Sequence, residues 1–155
     1  MARKAFQEYY PDELKCCYGC GANNEYGLKL KSYWDGDQSI AEFTPKPYHT
    51  ALPGVVYGGL IASLIDCHAT GTASAAAYRR EGREMGSAPP LRFVTASLQV
   101  DYLRPTPIDA SLELRGFLEE IKERKIVVSV TITAEGNICA KGKVITVKMP
   151  DHMGK

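Results

Sequence analysis

The sequence predicts an α+β protein in which a curved antiparallel sheet of about six strands wraps around one long helix. One observation is the stretch Pro53–Arg80, which carries apolar or small residues nearly all the way round a helical projection. The other is a series of strand-like runs, some before this stretch and most after it, separated by turn residues. A helix that is apolar on most faces needs more cover than a flat sheet gives. We therefore expect a curved sheet, and the remaining apolar surface favours a homodimer.

The central helix is predicted to span roughly twenty residues, or about 30 Å, from a Pro-Gly break to Tyr78. The pair Gly58-Gly59 lies at its start, and no proline interrupts it. Asp66 is the only acidic residue of the helix and has mostly apolar neighbours. Burying a charged carboxylate costs on the order of several kcal/mol unless it is paired and hydrogen-bonded, so Asp66 requires an explanation.

The strands are predicted from alternating apolar and polar residues. They are Leu28–Trp34, Ser39–Phe43, Arg92–Leu103, Ser111–Leu118, Lys125–Ala134 and Ile138–Val147. The proline-rich segment Thr44–Pro53 is predicted to be a loop. Alternation in the third strand places Thr95 on its polar face, opposite Val94 and Ala96. We expect one domain over residues 1–155, with an N-terminal arm and a Cys/Gly-rich turn over residues 1–27.

Composition restricts the class of function. The net charge of +1 gives no electrostatic reason to expect a nucleic-acid partner. No apolar run approaches the ~20 residues that span a bilayer, and the first residues lack the apolar segment of a secretory signal. We therefore expect a cytoplasmic protein with neither a membrane nor a nucleic acid as partner.

The five cysteines are an odd number, which argues against a disulfide framework. Cys17 and Cys20 form one C-x-x-C pair without a second pair, and the histidines show no ligand spacing. We therefore expect no metal site. Cys16, Cys17 and Cys20 are interpreted as reduced thiols in a tight turn.

The start of the helix has features that suit an acyl group. The glycines allow close approach of a ligand, and the first amides of a helix lack intrahelical acceptors. A developing oxyanion would be stabilised there, and Asp66 would act as nucleophile or general base. The structural alternative stays open, because Gly-Gly pairs occur in plain turns and Asp66 would also suit an ion pair with an arginine. His68 is excluded as the partner of Asp66, since side chains at positions i and i+2 of a helix point about 200° apart. His68 is interpreted as a satisfied polar residue or an interface residue.

Three motifs resemble those of one family. They are C-Y-G-C-G with Asn24 and Gly27-Leu28, Y-G-G-L-I-A-S-L-I-D from Tyr57 to Asp66, and T-A-S-L-Q-V-D-Y-L-R-P from Thr95 to Pro105. The chain is thereby similar to the hotdog-fold acyl-CoA thioesterases of the PaaI-like and THEM4-like group. Tyr57 departs from the pattern, because the family usually has histidine there. That departure bears on the acyl group accepted or on the rate.

The resemblance implies roles for particular residues. It places Asp66 at the catalytic carboxylate, Gly58 at the amide that polarises the thioester carbonyl, and Thr95 at the orienting hydroxyl, usually supplied by the partner subunit. Gly59 is expected to share the oxyanion hole. Tyr57, His49 and Arg104 are expected to bind substrate, with Arg104 suited to a phosphate of coenzyme A.

The function that follows is hydrolysis of an acyl-CoA to free acid and CoA by a homodimer or homotetramer. No cofactor is implied, since CoA belongs to the substrate. A module that binds acyl-CoA without hydrolysing it is the alternative, and Tyr57 motivates it.

Overall fold

The computed structural model of the chain describes residues 3–153. Its elements are β1 (Ser32–Asp35), β2 (Gln38–Phe43), β3 (Thr50–Leu52), β4 (Val55–Val56), α1 (Gly58–Arg80), β5 (Phe93–Tyr102), β6 (Leu112–Ile121), β7 (Lys125–Ala134) and β8 (Asn137–Lys148). Two short 3₁₀ helices, Phe6–Tyr9 and Asp12–Leu14, precede them. Six strands form one antiparallel sheet in the order β1-β2-β6-β7-β8-β5, and α1 packs against it. The predicted α+β architecture is confirmed.

Helix α1 extends for 23 residues and its buried positions lie on several faces. Leu64 and Ile65 are fully buried in the same core cluster as the inward residues of β7. Those inward residues are the ones that the alternation predicted, namely Ile126, Val128, Val130 and Ile132. Full burial of one such side chain contributes about 1.5–3 kcal/mol, so the apolar contact between helix and sheet makes a large favourable contribution to folding. Among residues 3–153 no helix combines the length and the apolarity needed to cross a bilayer.

The segment predicted as a loop, Thr44–Pro53, contains a strand. Thr50–Leu52 pairs with β4 as a small antiparallel hairpin. The turn between them is Pro53-Gly54, in which Gly54 has a φ of 81°. Proline followed by a glycine with positive φ is the pattern of a type II turn, so the prediction was wrong because the Pro-Gly pair was interpreted only as a helix boundary.

Other strand limits also differ from the prediction. β1 begins at Ser32 rather than at Leu28, because Lys29 adopts a left-handed φ of 55°. The amides of Leu28 and Leu30 instead bond to carbonyls of the Cys/Gly-rich turn, at 2.8 and 3.1 Å. β6 continues beyond Leu118 to Ile121 through a register shift. The segment from Leu28 to Leu30 therefore hydrogen-bonds to the Cys/Gly-rich turn and is not a strand of the sheet.

A bulge in β5 changes the direction of Thr95. Thr95 pairs with Thr146 and Ser97 pairs with Ile145, so Ala96 has no partner on β8. Thr146 is fully buried, and residues paired across strands share a face of the sheet. Thr95 therefore points inward toward α1. The expectation that it lies on the polar face is wrong because a bulge shifts the alternation by one residue.

A buried polar network fixes the rotation of α1 against the sheet. The ring nitrogens of His68 contact the hydroxyls of Ser32 at 2.8 Å and Ser39 at 3.0 Å. The Thr72 hydroxyl contacts that of Ser39 at 2.6 Å, and Gln7 donates to Ser32 at 3.1 Å. Desolvation by burial lowers the pKa of His68 to about 4, so its ring is neutral. The prediction of a satisfied polar residue is confirmed.

Candidate active site

Asp66 and Thr95 meet on the inner side of the sheet. Both side chains are half-buried, and the Thr95 hydroxyl donates a short hydrogen bond to Oδ1 of Asp66. This contact joins two residues of the same chain, whereas the resemblance implied a threonine from the partner subunit. The bulge at Ala96 is the reason, because it turns Thr95 toward its own helix.

The carboxylate of Asp66 is not neutralised by an ion pair. Within residues 3–153 no arginine or lysine forms a salt bridge with it, and Oδ2 receives no hydrogen bond. The structural alternative, in which an arginine from the sheet pairs with Asp66, therefore finds no support in the described part of the chain. Asp66 keeps a free oxygen available to a ligand.

The start of α1 presents two amides without acceptors. Leu60 and Ile61 both donate to the carbonyl of Tyr57, at 3.1 and 3.3 Å, whereas the Gly58 and Gly59 amides bond to no group of the described residues. These free amides carry the positive potential of the helix N-terminus. The entry therefore offers two unpaired hydrogen-bond donors to a ligand.

Two tyrosines surround this entry. The Tyr102 hydroxyl donates to the Gly58 carbonyl at 2.7 Å, and its ring lies where a Cβ on Gly58 would be in van der Waals contact. The ring of Tyr57 folds over Gly59 so closely that a side chain at Gly59 would overlap it. Sequence reasoning missed Tyr102, although the residue is part of the third motif.

A groove of about 390 Å³ opens beside the helix entry. Its lining comprises Tyr18, Tyr48, His49, Thr50, Tyr57, Gly59, Leu60 and Ser63. The His49 ring accepts a hydrogen bond from the Lys46 amide at 2.9 Å through Nδ1, and its carbonyl accepts the Tyr57 amide at 2.9 Å. Desolvation, and to a lesser degree the charge of Lys46, lowers the pKa of His49. The groove thus brings together His49, Tyr57 and Gly59.

Arg104 lies apart from this groove. It follows β5, is exposed, and its amide donates to the Cys139 carbonyl at 3.2 Å. The assignment of Arg104 to a phosphate of CoA stays a prediction.

The separation along α1 limits what one chain can do. Asp66 is eight residues from Gly58, which is about 12 Å at 1.5 Å per residue. A single carbonyl held by the Gly58 amide is therefore out of reach of the Asp66 carboxylate in the same chain.

Three thiols converge where the Cys/Gly-rich turn meets α1. The Sγ atoms of Cys17, Cys20 and Cys67 lie within 4.8 Å of one another, and all three cysteines are free. Sequence analysis missed Cys67, which lies next to Asp66 but is 50 residues from Cys17. Cys16 is exposed and Cys139 is buried, and neither belongs to this cluster.

Comparisons with known proteins identify the family. The family model described as the thioesterase superfamily matches residues 53–141. A solved thioesterase superfamily protein from Shewanella loihica is 55% identical, with a TM-score of 0.66, covering 78% of this chain and 91% of its own. The E. coli PaaI protein shares the fold at 14% identity, with a TM-score of 0.64. The match covers 79% of this chain and 81% of the PaaI chain.

A curated relative carries a more specific name. The acyl-coenzyme A thioesterase THEM4 of Xenopus laevis is 33% identical over 93 residues, which are 60% of this chain. The match spans only 36% of that relative's own length. The resemblance inferred from the motifs is confirmed at the level of the family. The chain belongs to the thioesterase superfamily.

Proposed function

We propose that the protein is a homo-oligomeric hydrolase that cleaves an acyl-CoA thioester into a free acid and CoA. The observation that carries this proposal is Asp66, a half-buried carboxylate on an apolar helix with one side-chain donor and no ion pair among residues 3–153. A carboxylate in such surroundings is costly, and its free oxygen is useful in catalysis. The name of the curated relative supports acyl-CoA as the substrate class.

Asp66 would act through Oδ2, because Thr95 occupies Oδ1. As general base, Oδ2 takes a proton from water while the water oxygen bonds to the carbonyl carbon. As nucleophile, Oδ2 bonds to that carbon itself, and water then hydrolyses the anhydride. In both routes the C–S bond breaks and CoA leaves as a thiolate that takes up a proton.

The oxyanion would form at the amides of Gly58 and Gly59. The separation of about 12 Å between these amides and Asp66 along one helix requires that they come from two subunits. The surface supports a dimer, because β5 is an edge strand and leaves Leu98, Tyr102 and Leu103 exposed along or just beyond it, with Tyr102 in contact with the helix entry. Removal of one oxyanion donor typically costs about 10²–10³ in kcat, so the contribution of the amides is large.

The groove beside the helix entry would hold part of the substrate. Tyr57 presents an apolar ring and a polar tip, which suits the wall of an acyl pocket. His49 offers a neutral imidazole, and Arg104 would contact a phosphate of CoA. No cofactor takes part in the proposed reaction.

The test is release of free thiol from a panel of acyl-CoAs by wild type and by Asp66→Asn. The amide keeps the shape of the side chain and an acceptor for Thr95, but it removes the base. We expect a rate loss of about 10²–10⁴ with retained binding of a non-hydrolysable thioether analogue. Activity that survives Asp66→Asn would contradict the assignment of the carboxylate.

A binding module that does not hydrolyse acyl-CoA is the second candidate. The Tyr57 ring, which stands where the family usually has histidine, covers the space beside Gly59 that a ligand would otherwise enter. A protein of this kind would bind the analogue tightly and release no thiol from any member of the panel. Asp66→Asn would leave its affinity unchanged.

A further inference from the structure

The three thiols of Cys17, Cys20 and Cys67 have the spacing of ligands around one ion. The Sγ atoms of Cys17 and Cys67 are 3.7 Å apart, and the three sulfurs lie within 4.8 Å of one another. Sulfurs bound tetrahedrally at about 2.3 Å from zinc are about 3.8 Å apart. A disulfide needs about 2.05 Å between sulfurs, far below the observed separation.

We propose that Cys17, Cys20 and Cys67 bind one thiophilic cation, of which Zn²⁺ is the probe, and that a water completes its coordination. Three sulfur donors without an oxygen or nitrogen donor favour a soft or borderline cation over Mg²⁺ or Ca²⁺. The two buried thiols and the half-buried Cys17 leave one side of the cluster open to solvent.

The turn that carries two of the ligands is built for this convergence. A Cβ on Gly19 would overlap the Cys67 sulfur, and a Cβ on Gly21 would overlap the backbone of Cys17. The Gly21 amide closes the turn on the Cys17 carbonyl at 2.8 Å. Gly19 therefore lets the turn approach Cys67 on α1 closely, and Gly21 lets the turn fold tightly on itself.

Sulfur binds such a cation as thiolate, so binding would release thiol protons from the cluster.

The consequence is a clamp between the turn and the helix that carries Asp66. Tyr18 lies between Cys17 and Gly19 in sequence and lines the groove beside the helix entry. A metal at the cluster would fix Tyr18 in that wall. The inference does not depend on hydrolysis, since the cluster contains no residue of the proposed reaction.

The experiment uses the whole protein, reduced and stripped with a chelator, and titrated with Co²⁺ as a coloured substitute for Zn²⁺. We expect one Co²⁺ per chain with a thiolate-to-metal charge-transfer band and a tetrahedral spectrum, both abolished when Zn²⁺ displaces Co²⁺. Cys67→Ser should weaken binding by more than about 100-fold, because losing a residue that only hydrogen-bonds to a metal ligand already costs about 10–100-fold. Cys16→Ser and Cys139→Ser are matched controls and should bind as wild type does.

A second measurement protects the test against a variant that fails to fold. X-ray absorption of the Zn²⁺-loaded wild type should give three sulfur neighbours at about 2.3 Å. A reduced wild type without the charge-transfer band, two or fewer sulfur neighbours, or equal binding by Cys67→Ser and Cys139→Ser would overturn the proposal. An intramolecular disulfide formed in place of metal binding would also overturn it, in favour of a redox pair.

Discussion

Asp66 and His68 lie two residues apart on α1 and have opposite surroundings. His68 is completely buried, and both ring nitrogens contact serine hydroxyls of β1 and β2. Asp66 is half-buried, its carboxylate has one side-chain donor, and no cation neutralises it within the described residues. Asp66 and His68 face different directions because side chains two residues apart on a helix point about 200° apart.

The difference separates the residue that organises the fold from the residue that is available for chemistry. A buried polar group with all partners satisfied is neutral or stabilising, and removing it leaves its partners without hydrogen bonds. A charged group with a free oxygen adds little to stability and is able to react. Substitutions at His68, Thr95 and Tyr102 and the pH dependence of stability test that separation.

Substitution His68→Ala should lower the free energy of unfolding by about 3 kcal/mol or more. It would leave a cavity and strip the Ser32 and Ser39 hydroxyls of a partner in the core. Denaturant titration measures the loss, and the rate per folded molecule should stay within a few-fold of wild type. Thr70→Ala is the control, because the Thr70 hydroxyl bonds only to backbone carbonyls of its own helix, and it should cost less than about 1 kcal/mol. Equal losses in the two variants would contradict the role of His68.

The stability of the protein should fall when the pH falls from 6.5 toward 4. The pKa of His68 is about 4 in the fold against 6.5 for a free histidine, so only the unfolded chain takes up the proton in that window. The stabilisation is complete above pH 6.5, and about 3 kcal/mol is lost by pH 4.

The measurement is a series of denaturant titrations on wild type, His68→Ala and His152→Gln. His152 is exposed and serves as the control histidine. Wild type and His152→Gln should share the steep acid loss, and His68→Ala should lose less. If the free energy of unfolding of His68→Ala fell with pH as steeply as that of wild type, groups other than His68 would cause the acid loss.

Substitution Thr95→Ala should reduce kcat/KM by about 10–100-fold, and Thr95→Ser should restore most of it. The hydroxyl donates to a charged carboxylate, and such a hydrogen bond contributes about 1.5–3 kcal/mol. Steady-state kinetics on the preferred acyl-CoA measures both variants. A serine variant as slow as the alanine variant would contradict a role of the hydroxyl.

Substitution Tyr102→Phe should have the smallest effect, about 1 kcal/mol in the free energy of unfolding. It removes the hydrogen bond to the Gly58 carbonyl at 2.7 Å and keeps the ring against Gly58. Thermal unfolding measures the change. A loss above about 3 kcal/mol would mean that the hydroxyl holds the whole helix entry.

The spacing of apolar residues predicts those elements whose apolar side chains pack into the core between helix and sheet. The inward set of β7 and the apolar helix α1 follow from sequence because each pattern repeats over many residues. The direction of Thr95 does not follow, since the bulge at Ala96 depends on how β8 pairs with β5. A count of residues within β5 alone contains no information on that pairing.

The candidate site divides in the same way. Asp66 and the Gly58-Gly59 pair stand out in sequence because an acid and glycines are unusual in an apolar helix. The approach of Cys67 to Cys17 and the contact of Tyr102 with Gly58 join distant segments, and no local pattern indicates them. Only the packed fold shows which of these residues meet.

Asp66→Asn and His68→Ala, compared in two assays, separate catalysis from stability. Thiol release gives kcat/KM on the preferred acyl-CoA, and denaturant titration gives the free energy of unfolding. We predict that Asp66→Asn loses at least about 100-fold in kcat/KM and about 1 kcal/mol or less in stability, whereas His68→Ala shows the reverse. An Asp66→Asn variant that hydrolyses acyl-CoA at the wild-type rate would contradict the central claim.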